Sequence, residues 1–501
     1  MSELVKIELH PLGKVLSIAQ GAPLQDALFG QGVEFPCGGR GRCRGCKVKV
    51  LTGSMPVSEE EREKLTPAEL QQGWRLACRA RAQTNVTLEL AQWEAPILSD
   101  ETPFSFRPRA GIGVAIDLGT TTIVAQLLDL QTGNVLAVNT ALNEQALHGA
   151  DVMSRVEYAV RGGQPLLQSI VRNQLRGLVT SLMGSGYKDG LESIVIVGNT
   201  VMHHLFCGID VEPLSRVPFE PLTMATGTFA AEELGWPLGK QTRVWFLPCL
   251  GGFVGSDVLA GVLATGMAET EKITALIDLG TNGEIVLGNR RRLLCASTAA
   301  GPAFEGARIG MGMRAATGAI TSVRREQRSL RCHVLGNGTA RGICGSGLVD
   351  AVAAALELGL VQSSGRLARG GPLELTPPVS LSQRDIRELQ LAKGAIAAGF
   401  ELLLQKWGAG LEDIGELYLA GAFGNYINLS SGRRIGLLKV PVEKVAPAGN
   451  TALLGAKLAL FSLPEKGTDY TELRARVEHV SLHEMPEFQE RFVAEMAFPE
   501  P

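Results

Sequence analysis

The sequence predicts two joined bodies. A small α+β unit of the β-grasp kind occupies residues 1–93, a linker covers 94–110, and 111–501 form an α/β unit of two pseudo-symmetric subdomains, the second beginning near 250–275. Three observations predict this. A chain of 501 residues is too long for one core at roughly 150 residues per domain. Its start alternates with period 2 around one short helix and a cysteine-rich loop. Beyond the linker, strands alternate with helices, and one hairpin pattern occurs twice.

The elements follow in order. Val5 to Leu9 and Lys14 to Ile18 read as strands across the turn Pro11-Leu12-Gly13, and Pro23 to Phe29 as a short helix. After the cysteine loop come a strand (Cys46 to Leu51), an acidic helix (Ser58 to Leu70) and a closing strand (Asn85 to Leu90). Glu94 to Arg109 shifts to Pro, Ser and charge without periodicity, the mark of a linker. In the larger unit, Gly113 to Val124 (GVAIDLGTTTIV) and Ala275 to Val286 (ALIDLGTNGEIV) are echoes: strand, Asp-Leu-Gly-Thr turn, strand. Two such hairpins imply two related subdomains with a cleft between them. The tail from Met485 is expected to pack loosely.

Composition narrows the function. Acidic residues number 51 and basic ones 48, a balance of −3, so no strong field for phosphate backbones or anionic membranes is expected and a nucleic-acid partner is disfavoured. No apolar stretch approaches the ~20 residues of a membrane span, and Met1-Ser2-Glu3-Leu4-Val5-Lys6 does not read as a secretory signal. The reading is of a cytoplasmic protein. Sixty glycines, about 12% against the usual ~7%, point to many tight turns.

Four of the nine cysteines lie in the first 78 residues. In a reducing compartment such a group reads as metal ligation before disulfides. Cys37, Cys43, Cys46 and Cys78 have the spacing C-x5-C-x2-C-x31-C, and four glycines lie within the ten residues Cys37 to Cys46. Glycine lets backbone amides approach sulfur closely. Three thiolates from one loop and a fourth from a distant segment suit a [2Fe–2S] rhombus; structural zinc, which usually has two CxxC-type knuckles, is the alternative. The loop resembles those of plant- and vertebrate-type ferredoxins, with five residues between the first two ligands as in the adrenodoxin-like branch. Arg40, Arg42, Arg44, Arg75 and Arg79 are read as a basic collar for an acidic partner, or in part as solvated charge. Cys207, Cys249, Cys295, Cys332 and Cys344 lack ligand spacing and read as buried thiols.

In the repeated hairpins, an Asp at a strand end, a glycine turn and hydroxyls converge. Gly119 and Gly280, with Gly283, free backbone amides for phosphate oxygens, and Thr120, Thr121, Thr122, Thr281 and Asn282 can donate to them. Asp117 and Asp278 are the candidate catalytic carboxylates, placed to hold Mg²⁺ through water. This pattern resembles the ASKHA superfamily of kinases, actin and heat-shock chaperones, and further segments follow that family's order. Ile194 to Thr200, with Asn199, looks like the first connecting segment; Leu417 to Asn425, with Gly421, Gly424 and Asn425, like the adenosine motif; Gly449 to Ala456 like the second connecting helix. Gly342 to Asp350 starts a helix whose N-terminal amides, at Gly345 and Ser346, can face ATP. Phosphotransferring members place an Asp near the first connecting segment. Gly198-Asn199-Thr200-Val201-Met202-His203-His204 has none, which disfavours a sugar kinase; the two histidines read as surface or core residues.

A ferredoxin unit fused to an ASKHA ATPase resembles the reductive activators of corrinoid proteins, as do Gly149 to Arg155 and Gly301 to Ala307. That resemblance implies ATP-dependent return of a corrinoid methyl-transfer protein from Co(II) to Co(I), with the electron drawn from the cluster. It also implies an external low-potential electron donor and leaves room for a homodimer. Plant-type centres lie near ~−400 mV, and reducing Co(II) can demand less than that, so a coupled energy input is expected. A small-molecule kinase with a redox-sensing domain and a non-enzymatic chaperone or assembly module are the rival readings.

Overall fold

The computed structural model describes residues 4–10, 13–29, 31, 33, 46–90, 104–184, 190–280, 282–306, 308–316, 318–424, 426–466 and 470–500. The N-terminal alternation becomes strands β1 (Leu4–His10) and β2 (Lys14–Ala19), with Val5, Ile7 and Leu9 turned inward. Helix α1 (Leu24–Phe29), β3 (Lys47–Thr52), helices α2 (Glu59–Lys64) and α3 (Pro67–Gln71), β4 (Trp74–Leu76) and β5 (Val86–Leu90) complete a mixed sheet ordered β2-β1-β5-β3-β4. The expected single acidic helix is therefore two. Leu65 is extended, Pro67 lacks the N–H an unbroken helix needs, and Thr66 opens a second capping box with Glu69. Strand β4 was not expected; the buried carboxylate of Glu61 accepts from Leu76 N at 2.7 Å and holds it in place.

Residues 104–109, expected as linker, lie against the large unit. Phe104 and Phe106 pack on the Phe461 ring at 5.3 and 4.6 Å, while Arg109 pairs with Glu192 and donates to Leu460 O.

The large unit is two lobes. In the first, β6 (Ile112–Leu118), β7 (Thr122–Asp129), β8 (Val135–Leu142), β9 (Leu191–Val197), β10 (Gly227–Ala230) and β11 (Arg243–Phe246) form a sheet ordered β10-β11-β9-β6-β7-β8. Helices α4 (Val152–Tyr158), α5 (Gln164–Met183) and α6 (Thr200–Cys207) belong to this lobe, and α7 (Ser256–Thr265) leads out of it. In the second, β12 (Ile273–Leu279), β13 (Gly283–Asn289) and β14 (Arg292–Thr298) repeat the β6-β7-β8 meander. A three-stranded insertion follows: β15 (Ala319–Glu326), β16 (Ser329–Val334) and β17 (Gly342–Ile343). Then come α8 (Gly345–Glu357), the hairpin β18 (Leu373–Thr376) and β19 (Val379–Leu381), and α9 (Gln383–Trp407). Next are β20 (Ile414–Ala420), α10 (Gly421–Gly424), α11 (Leu429–Arg434), β21 (Val445–Gly449) and α12 (Thr451–Lys466). The chain ends with α13 (Thr471–Arg474), β22 (Val477–His479) and α14 (Pro486–Glu495).

The echo seen in the sequence is an echo in register. Asp117 on β6 faces Val197 at the end of the parallel strand β9, and Asp278 on β12 faces Ala420 at the end of the parallel strand β20. The segments beginning at Gly198 and Gly421 are thus equivalent positions. Helices α7 and α12 cross between the lobes, so close that a Cβ on Gly455 would stand 2.0 Å from Ala260 O. The second helix packs on β6 and β9 of the first lobe and the first on β12 and β13 of the second. One buried cluster accordingly mixes Ala115 and Val195 with Leu276 and Val286.

The tail is not loose. Phe498 is 2% exposed, its N–H donates to Ser363 O, and Lys393 Nζ and Arg434 Nη1 bind the carbonyls of Ala497 and Pro499. Among the described residues no helix is long and apolar enough to cross a membrane.

Candidate functional site

The first loop that the sequence marks as a phosphate-binding candidate is built from behind. Gly119 N donates to Thr122 O, closing the turn between β6 and β7, and a Cβ on Gly119 would lie 2.5 Å from that same oxygen. Only glycine leaves this turn unstrained. Asn143 Nδ2 donates to Gly119 O at 2.9 Å and its backbone N–H to Thr121 O at 2.8 Å. Beneath it lies Arg155, fully buried, donating to Thr120 O at 2.5 Å and Gly149 O at 2.8 Å. Burial pushes this guanidinium down to about 9. Asn199 caps α6 through Met202 N and donates from Nδ2 to Thr120 Oγ1 at 2.8 Å. The Asp117 carboxylate accepts from Asn450 Nδ2 at 3.0 Å, so the second connecting helix reaches the first loop.

The second loop is one residue shorter and closes through Gly280 N and Asn282 O. Gly421 has φ +86°, and a Cβ there would stand 2.6 Å from Asp278 Oδ1. Gly424 backs onto Leu419 O. A Cβ on Gly345 would fall 1.8 Å from Phe304 O and 3.0 Å from the Phe423 ring, and Phe304 and Phe423 stack at 4.9 Å. The start of α8, the adenosine motif and the Gly301 to Ala307 segment therefore meet at one point. Ser346 spends its proton on Thr321 O, at 2.9 Å. Thr281 and Asn425 lie outside the described residues.

Carboxylates from both lobes converge between these loops. Burial, with Asn450 opposing it, takes Asp117 up to about 6. Burial and the charge of Asp117 take Asp278 to about 7. Two more carboxylates join them that the motifs did not indicate. Asp257, in the first turn of α7, accepts from Val258 N at 2.8 Å; burial and the charges of Asp278 and Asp117 lift it to about 7. Glu284, opposite Asp278 in the β12–β13 ladder, is raised well above its usual range by burial and by the charges of Asp257 and Asp278. Oxygen-only ligands of this charge suit a hard divalent cation. Among the described residues no three such groups lie close enough to cage an ion, so a Mg²⁺ there would keep waters and lean on phosphate.

Asp257 is a carboxylate that the connecting segment itself does not announce. The connecting segment lacks an acidic residue, yet the cleft has one, because α7 docks its N-terminus on that segment: Ser256 N donates to Gly198 O at 2.9 Å. His203 and His204 are core residues. Burial holds them down to about 3 and about 4, and His204 Nδ1 lies 2.9 Å from Thr200 O. Cys249, Cys295 and Cys344 are buried, as expected; Cys207 and Cys332 are half-buried.

At the cluster site, Cys46 and Cys78 are 1% and 9% exposed with sulfurs 3.4 Å apart. That is far beyond the ~2.05 Å of a disulfide and close to the roughly 3.7 Å of two thiolates on one tetrahedral metal with ~2.3 Å bonds. The pair fits a cluster. Cys37, Cys43, Arg40, Arg42 and Arg44 lie outside the described residues. Arg75 is no part of a surface collar: its guanidinium is bound to the carbonyls of Met55, Leu70 and Trp74, which anchor it against the fold. Arg79 faces Glu60 at 3.6 Å.

Comparison with known proteins matches this layout unit by unit. Residues 7–83 match the 2Fe-2S iron-sulfur cluster binding domain, 112–270 the RACo middle region, and 272–501 the C-terminal domain of RACo, the ASKHA domain. The corrinoid activation enzyme RamQ of Eubacterium limosum is 34% identical over 431 residues, covering 80% of this chain and 72% of that protein. The chain belongs to the reductive activators of corrinoid proteins. A second relative, the [Co(II) methylated amine-specific corrinoid protein] reductase of Methanosarcina barkeri, is 26% identical over 77% of each chain. The solved structure of a reductive activator for corrinoid, iron-sulfur protein has 27% identity and a TM-score of 0.70, covering 99% of this activator and 98% of that chain. The middle region coincides with the first lobe of the cleft.

Proposed function

We propose that this activator delivers one electron from a [2Fe–2S] cluster, held by Cys37, Cys43, Cys46 and Cys78, to the Co(II) of a corrinoid methyl-transfer protein, giving Co(I). The cluster supplies the electron, and MgATP bound and hydrolysed between the lobes supplies the driving force. The observation that carries this is the pair of equivalent hairpins facing across two lobes, Asn450 reaching Asp117 at one and Gly421 lying against Asp278 at the other, in one chain with a buried thiol pair.

The chain's own residues have separable tasks. Asp117 and Asp278 hold the cation through water, with Asn450 fixing the Asp117 carboxylate. The Gly119 and Gly280 turns and the Thr120, Thr121 and Thr122 hydroxyls bind phosphate oxygens. Gly421 and Gly345 let the backbone pack against Asp278 and Phe304, which sets the Phe304–Phe423 stack beside the second loop, where the base would lie. An external low-potential donor recharges the cluster.

The test is Co(I) absorbance of a corrinoid protein mixed with this chain, ATP and a reductant. Co(I) should accumulate only with ATP and only with the cluster present. Equal Co(I) formation by residues 104–501 alone would make the cluster dispensable and end this reading. Asp117→Ala and Asp278→Ala should each abolish ATP hydrolysis while leaving the visible spectrum of the cluster unchanged. Asp257 gives the kinase reading one supporting observation, an acidic group in the cleft; phosphorylation of a sugar or carboxylate by the purified protein would favour it.

A further inference from the structure

The cluster-binding unit touches both lobes, and each contact adjoins a wall of the cleft. On the first lobe, Leu142 ends β8 and is 8% exposed because it packs into the core of the cluster-binding unit, with Ala146 and Leu147 against the same core. The next residue, Asn143, is the one that holds Gly119 O and Thr121 O. On the second lobe, Arg341 donates to Leu90 O at 2.5 Å and pairs with Glu89 at 3.2 Å. Arg341 is itself held from behind: its N–H donates to Gly318 O, and its side chain lies over Gly318, where a Cβ would be 2.6 Å from Arg341 Cδ. Directly after it come β17 and Gly345, the start of α8.

We propose that the cluster-binding unit is a strut between Leu142 and Arg341 that fixes the angle between the lobes, so that nucleotide binding and docking of the cluster are coupled. A small rigid body bridging two lobes can satisfy both contacts at one interlobe angle only. A ligand that draws the phosphate loops together must break one of them. A partly exposed ion pair is weaker than a buried leucine, so the strut releases at Arg341 and stays attached at Leu142. The unit then pivots about the first lobe, and the face that had met Arg341 becomes available to a redox partner. This rests on the reading of the cleft as a nucleotide site.

Linkage makes the idea measurable, because coupling is reciprocal. In the full chain with its cluster, calorimetry with a non-hydrolysable ATP analogue should give roughly threefold to fivefold tighter binding for Arg341→Ala and for Glu89→Ala than for the unaltered protein, the scale of one partly exposed ion pair. Removing the pair from either side guards against a packing defect at Gly318. Small-angle scattering should show the analogue expanding the unaltered protein towards the dimensions of the two variants. Equal or weaker binding in the variants, or scattering that does not respond to the analogue, overturns the strut. No binding heat in any of the three proteins overturns the nucleotide reading instead.

Discussion

Arg155 places a charge deep in the first lobe, where the Asp151 carboxylate offsets only part of the cost of its burial. Its hydrogen-bond partners are neutral: the carbonyls of Thr120 and Gly149 and, at 3.3 Å, the Gln145 amide oxygen. A buried guanidinium so held fixes loop geometry through hydrogen bonds, and its loss leaves buried acceptors unpaired. Arg155→Met should cost about 2–4 kcal/mol, read as a lower denaturation midpoint, and should weaken nucleotide binding without altering the cluster spectrum. The histidines give a pH dependence. Their folded pKa values lie below the ordinary value of 6.5, so the unfolded chain binds more protons and stability falls as pH drops below that value. Between pH 7 and 5 each can contribute up to about 2 kcal/mol of that loss, and His204→Asn should flatten the decline in melting temperature. Cys78→Ser should remove or badly weaken the visible chromophore; two irons retained with an unchanged spectrum would show the fourth ligand misassigned. Asp117, Asn199, Cys46 and Cys78 could be singled out in the sequence because each sits in a short motif, and the fold places Asp117 and Asn199 at the cleft and Cys46 beside Cys78. Asp257 and Glu284 could not be: Asp257 reaches the cleft only because α7 docks on the segment at Gly198, and Glu284 acquires its neighbours only when β13 pairs with β12 and α7 brings Asp257 close.

At the scale of elements, turns and caps decided what periodicity left open. The alternation of β1 and the Asp-Leu-Gly-Thr hairpins survive intact in the fold, since a two-residue period and a glycine turn are local properties. The acidic run at Ser58 to Leu70 carries a helical pattern throughout, and only Pro67 with its capping box divides it. Strand β4 has three residues and no pattern of its own; it exists through Glu61. The crossing of α7 and α12 is the element contact with least tolerance. Gly455→Ala would put a methyl group within 2.0 Å of Ala260 O, so the helices must separate. Overpacking of this kind costs about 1–3 kcal/mol, and because both lobes share the crossing, the loss should appear as one lowered thermal transition for the whole large unit.

For the whole molecule, the two-lobed layout was readable from the repeat alone, but the sharing between lobes was not. No local pattern states that α12 belongs against β6, or that Arg109 reaches Leu460 O across 351 residues of chain. This interlocking has a consequence during synthesis. The face of the first sheet around Gly113, where a Cβ would stand 2.8 Å from Leu460 Cδ2, stays uncovered until the last tenth of the chain leaves the ribosome. At ~5–20 residues per second, the roughly 200 residues between the end of the first lobe and α12 leave the nascent lobe waiting about 10–40 s with part of its apolar surface in water. Residues 104–270 expressed alone should therefore aggregate or bind a chaperone, and adding a peptide spanning α12 should raise their yield of soluble monomer; a soluble, cooperatively melting fragment would contradict this.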